Sequence, residues 1–127
     1  MKLLPLFTIL LVLSGAPAFA ASVEVAINGA AYTGPSNPKG VKLVAGEPFT
    51  VDIKITGGKV ADPIWLKHGD DVQMNGASTD PKPDSDAFSF YMVPMHAGPL
   101  TLPGLDIAMV GGPALHMDAI KLVVYPR

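Results

Sequence analysis

Thr50-Val51-Asp52-Ile53-Lys54-Ile55-Thr56 is the stretch on which the fold turns. Val51, Ile53 and Ile55 fall on one side of an extended chain, and Thr50, Asp52, Lys54 and Thr56 on the other. This period of two marks a strand with one buried face, which is the pattern of an antiparallel sheet. Gly57-Gly58 closes the strand behind it. Working outward, the same reading predicts strands over Ser22–Ile27, Val41–Val44, Ile64–Leu66, Val72–Asn75, Ala87–Val93, Leu105–Val110 and Ala119–Tyr125. The chain carries 13 Gly and 13 Pro among 127 residues, spread as punctuation between these runs, so long helices are excluded. Short strands with turn signals at regular spacing predict an all-β fold, an immunoglobulin-like antiparallel β-sandwich of seven to nine strands. Its expected core is Phe49, Val51, Ile53, Trp65, Phe88, Phe90, Leu105, Ile107, Leu122 and Val124.

Several connections have a local mechanism. Asn28-Gly29 suits a two-residue hairpin, because both residues tolerate positive φ. Pro35, Pro38 and Gly40 mark a loop before Val41. Thr79 to Asp86, with Pro81 and Pro83 among acids, reads as an exposed, mobile loop. Pro99 and Pro103 flank Leu100-Thr101-Leu102, which must then be an edge strand or a short extended link.

The amino terminus has a different character. Lys2 precedes an apolar run from Leu3 to Leu13, and Ala18-Phe19-Ala20 is a small-x-small cleavage pattern. Residues 1–20 therefore read as a cleaved signal peptide and residues 21–127 as one β-sandwich domain. The run is too short for the roughly 20 residues that span a bilayer as a helix, and no second one follows, so no transmembrane segment is expected after cleavage. The sequence has no cysteine, which excludes disulfides, thiolate metal sites, Cys nucleophiles and lipid attachment through Cys. Lys+Arg 9 against Asp+Glu 11 gives a net charge of −2, with no basic cluster to attract nucleic acid or an anionic membrane. Asn28, Asn37 and Asn75 lie outside glycosylation sequons. The expected location is the bacterial periplasm, as a soluble exported protein.

Two further stretches carry a resemblance. Gly46-Glu47-Pro48-Phe49 is a turn into the strand quoted above. Tyr91-Met92-Val93-Pro94-Met95-His96-Ala97-Gly98-Pro99-Leu100-Thr101-Leu102-Pro103-Gly104-Leu105 leads into an alternating strand, the Gly111-Gly112 turn and a final strand ending Leu122-Val123-Val124. In outline, residues 41 to 125 resemble the immunoglobulin-like module of the BatD-type oxygen-tolerance proteins of bacterial periplasms. Those proteins are long, anchored in the membrane and built of several modules, whereas this sequence holds one. The resemblance implies a binding scaffold and no chemistry, with another periplasmic or membrane-attached protein as partner.

The residues themselves agree in offering no catalytic motif: there is no Gly-x-Ser-x-Gly elbow, no His-Glu-x-x-His pair and no phosphate loop. No enzymatic activity and no cofactor are assigned. Binding candidates are Trp65, His68, Met95, His96 and His116. Met92, Met95 and His96 fall close together, and the last two strands have the reach to bring His116 to them. Thioether and imidazole ligands suit copper, so a small copper-binding protein is the alternative function, although Met92 shares strand parity with Phe88 and Phe90 and reads as core. Asp80, Asp84 and Asp86 raise calcium, but Lys82 sits among them and a solvated loop is the better reading. Trp65 is expected in the core; on the surface it would instead be a platform for a partner or a carbohydrate.

Overall fold

The computed structural model describes residues 20–127, so the signal-peptide reading lies outside the described residues except for Ala20. Ten strands form in chain order: β1 (Ser22–Ile27), β2 (Ala30–Tyr32), β3 (Leu43–Val44), β4 (Phe49–Thr56), β5 (Val72–Thr79), β6 (Ser85–Pro94), β7 (Gly98–Leu102), β8 (Leu105–Ile107), β9 (Leu115–Met117) and β10 (Ile120–Tyr125). A five-stranded sheet has the order β2-β1-β4-β6-β5, a three-stranded sheet β3-β10-β7, and β8 and β9 pair as a separate ribbon. The fold is an all-β sandwich. Its count exceeds the expected seven to nine because short pieces such as β2, β3 and β9 pair for only two or three residues.

The quoted strand sits where its alternation requires. β4 is central, with β1 on one side and β6 on the other, and Val51, Ile53 and Ile55 are fully buried. Across the ladder Val51 faces Phe90 and Ile53 faces Phe88, so the apolar face continues sideways over β6. Leu100 and Leu102 of β7 and Ile120, Leu122 and Val124 of β10 supply the opposing layer of one core. Burying each such side chain contributes about 1.5–3 kcal/mol, which is how a domain without disulfides is held together.

The turns follow their residues. Asn28 (φ 51°) and Gly29 (φ 84°) join β1 to β2 with Ile27 opposite Ala30, as a two-residue hairpin demands. Asn28 also extends the β1–β4 ladder, its Oδ1 accepting from Thr50 N at 2.9 Å and its own N donating to Thr50 O at 2.9 Å. β7 pairs only with β10 and is an edge, as its flanking prolines imply. β10 runs antiparallel to β7 and parallel to β3, but β3 pairs with it only at Val124 and Tyr125. Upstream of that contact side chains replace the missing strand. Asn37 Nδ2 donates to Val123 O (2.9 Å), Val123 N donates to Asn37 Oδ1 (2.7 Å) and Lys121 N donates to the Tyr32 hydroxyl (2.8 Å).

Five expectations need correction. Ile64–Leu66 is extended but pairs with no strand, since Pro63 cannot donate and the segment crosses beside the sandwich instead of joining a sheet. Trp65 is 63% exposed, and Leu105 is only half-buried. The strand expected at Leu105–Val110 stops at Ile107 and resumes as a single bridge from Met109 to Val60. The stretch Thr79 to Asp86 is exposed as far as Asp84, as expected, but closes as a tight turn: Lys82 N donates to Ser85 O (2.9 Å), Asp80 N donates to Ala87 O (2.8 Å), and Ser85 and Asp86 are buried. Lys59 explains this last difference. Its ammonium crosses from the chain after β4 to Asp86 Oδ1 at 2.7 Å and to Ser85 O at 3.0 Å, and Val60 N donates to Asp86 Oδ2 at 2.9 Å.

Candidate binding surface around Trp65

The surface begins with a choice of parity. In Pro63-Ile64-Trp65-Leu66-Lys67 an extended chain sends alternate residues to opposite sides. Ile64 and Leu66 are buried, so Trp65 and Lys67 point outward. Trp65 is nonetheless held in place, its ring standing edge-on to the buried Phe90 with centroids 6.2 Å apart and planes at 87°. No backbone hydrogen bond joins Ile64–Lys67 to other backbone among the described residues. Their amides and carbonyls thus lack a backbone partner, although Leu66 is buried over the whole residue and Ile64 nearly so.

A groove of about 410 Å³ lies between this segment and β8. Asp62, Trp65 and Lys67 line one side, and Leu105, Asp106 and Ala108 the other. The β8–β9 ribbon fixes the second wall, with Asp106 directly opposite His116. His116 Nδ1 donates to Asp106 Oδ1 at 2.8 Å, and Nε2 lies 3.1 Å from Asp118 Oδ1. The hydrogen bond to Asp106, with the charge of both carboxylates, holds the His116 pKa above its ordinary 6.5 against the opposing desolvation. Trp65 thus lines the groove, whereas His116 meets it only through Asp106.

The other candidates lie elsewhere. Met95 and His96 form the exposed corner between β6 and β7, and Met95 N donates to Asp71 O at 2.8 Å. His96 Nε2 is 3.7 Å from Asp71 Oδ1, beyond hydrogen-bond reach. His68, in the preceding loop, has Nδ1 3.0 Å from Gly69 O and is exposed. The strand register separates this corner from His116. Gly98 faces Val124 at one end of the β7–β10 ladder and Leu102 faces Ile120 at the other, four rises of about 3.3 Å apart. His96 lies before the first end and His116 before the second, so the Met95, His96 and His116 set does not converge. Met92 is fully buried among Phe49 and Met74, as its parity requires. Among the described residues no group of three or more His, Cys, Asp or Glu is placed to hold a metal ion.

Sequence reasoning missed the far wall of the groove. Asp106 has no signal of its own; only the β8–β9 register, with the Gly111-Gly112 turn between, brings it to His116. No helix among the described residues is long and apolar enough to cross a membrane. Comparison with protein-family models, with curated proteins and with solved structures finds no match.

Proposed function

We propose that this chain is a non-enzymatic interaction module of the bacterial periplasm, which holds an extended segment of another exported or membrane-attached protein along Ile64–Lys67 with Trp65 as its anchor. The observation that carries this reading is a tryptophan 63% exposed on an extended stretch that makes no backbone–backbone hydrogen bond among the described residues. Strand addition supplies affinity through main-chain hydrogen bonds and specificity through side-chain contacts on alternate residues. A large aromatic beside a groove is the kind of residue that concentrates binding energy. The signal-like amino terminus, the lack of cysteine and the resemblance to BatD-type modules support the compartment and the non-catalytic role.

The test is selection of displayed random 12-residue peptides on the purified protein, followed by titration of each selected peptide by Trp65 fluorescence and amide hydrogen exchange. Binders should slow exchange at Ile64–Lys67, and Trp65→Ala should weaken them by about 30-fold, the equivalent of roughly 2 kcal/mol. Peptides that bind Trp65→Ala as well as they bind the wild type would overturn the proposal.

A further inference from the structure

The hairpin of β1 and β2 is lopsided. β1 pairs with β4 over all six of its residues, but β2 ends at Tyr32, opposite Val25. Val23 and Glu24 therefore have no strand beside them on that side, and a crevice of about 590 Å³ opens along the vacant edge. Its floor is Met117 and Ile120, both buried, from the end of β9 and the start of β10. Its apolar wall is Val23, Val25 and Tyr32, each half-buried.

A polar lip borders the same opening from the outer face of the sheet, which alternation turns away from Val23 and Val25. Glu24 stands opposite Lys54 and Ala26 opposite Asp52 on the outer face of the sheet, and Asp118 comes from the turn between β9 and β10. Three carboxylates thus stand against one ammonium and the imidazole of His116, which lies on Asp118. Asp52 is already used, since Ser89 Oγ donates to it, and Asp118 faces His116. Glu24 is exposed and makes no ion pair among the described residues.

We propose that this crevice is a ligand site for a small amphiphile with an apolar body and a cationic head group. Small-molecule sites are concave, mostly apolar, about 300–1,000 Å³ in volume and oriented by a few polar groups. The crevice meets each condition, and the sign of its lip selects the head group. An alkyl body covers the half-buried Val23, Val25 and Tyr32 above Met117 and Ile120, while an ammonium at the mouth reaches Glu24 and Asp118; a carboxylate head would meet like charge there. The site is on a different edge from Trp65 and is independent of the peptide-binding reading.

The experiment is a ¹H–¹⁵N chemical-shift titration of the purified protein with octylammonium, octanol and octanoate, each below its micelle concentration. Octylammonium should shift the amides of Val23, Val25, Tyr32, Met117 and Ile120 and bind at least tenfold more tightly than octanoate. Glu24→Gln combined with Asp118→Asn, both at exposed positions, should bring the three affinities together while the shifts stay in place. Ala31→Trp, at an exposed position on the mouth, should weaken all three. Equal affinities in the wild type, shifts centred elsewhere, or no shifts would each overturn the proposal.

Discussion

Replacement of Asp86 by Ala tests whether the β5–β6 turn is held by a buried charge. The Asp86 side chain is 9% exposed and takes two hydrogen bonds, from Lys59 Nζ at 2.7 Å and from Val60 N at 2.9 Å. The first joins two charged groups, a class worth about 1.5–3 kcal/mol, and losing the second orphans an amide at about 1–3 kcal/mol. Lys59 is 35% exposed and keeps the carbonyls of Ser85 and Lys82, so water and these acceptors return part of the loss. The expected cost of Asp86→Ala is about 2–3 kcal/mol, a large part of the 5–15 kcal/mol that such domains possess. In a domain this size it lowers Tm by roughly 10 °C. Urea unfolding followed by far-ultraviolet circular dichroism reads the loss, and a double-mutant cycle with Lys59→Met isolates the pair.

The pH dependence gives a second measurement of the same contact. Burial alone raises the Asp86 pKa, but the Lys59 and Val60 hydrogen bonds and the Lys59 charge outweigh it and leave the carboxyl below its ordinary 3.8. A group depressed in the folded state contributes fully above its unfolded pKa and loses that contribution as pH falls through the folded one. The stability gap between wild type and Asp86→Asn should therefore be constant above about pH 5 and narrow below 3.8. A cost of Asp86→Ala under about 0.5 kcal/mol, or additivity with Lys59→Met, would refute the reasoning.

Three other outcomes follow from single contacts. Gly104→Ala places a methyl 2.5 Å from Met117 O and 3.0 Å from Ala119 N, so β8 must move away from its neighbours; urea unfolding should show a loss of about 1–3 kcal/mol, and an unchanged midpoint contradicts the close approach. Asn37→Ala removes both bonds to Val123, costing about 1–2 kcal/mol and speeding exchange of the Val123 amide, whereas unaltered exchange means that another group caps β10. His116 favours the folded state fully below pH 6.5 and loses that contribution as pH rises through its elevated folded pKa; in an NMR titration Asp106→Asn should lower the His116 midpoint toward 6.5, and an unmoved midpoint removes the role given to Asp106.

The fold was legible wherever a local pattern and the sheet asked for the same thing. Ser22–Ile27 forms the expected strand with the expected ends, and β4, β6 and β10 differ from their readings by a residue or two. Alternation reports a buried face, and each of these strands has one. The pattern failed where burial came without pairing, or pairing without an apolar face. β5 continues to Thr79 through Gly76-Ala77-Ser78, a polar run with no strand signal, because β6 offers a ladder there and a bulge between Met74 and Gly76 restores the register. The turn from Asp80 to Ser85 was hidden because its organiser, Lys59, is 26 residues from Ser85 and 27 from Asp86.

Trp65 shows why the site was harder to read than the fold. Ile64-Trp65-Leu66 is apolar at three consecutive positions, so parity permits either Trp65 inward or both neighbours inward. Burying Ile64 and Leu66 gains about 1.5–3 kcal/mol each, and one tryptophan cannot match two such side chains within a narrow seam beside Phe90. Packing thus decides against the common preference for a buried tryptophan. The same parity that seals Ile64 and Leu66 into the core leaves the indole facing outward, on a segment without a backbone partner among the described residues. A paired strand at this place would have consumed those amides and carbonyls in its own sheet. The absent ladder, which the apolar triplet alone did not reveal, is what the proposed strand addition at Trp65 rests on.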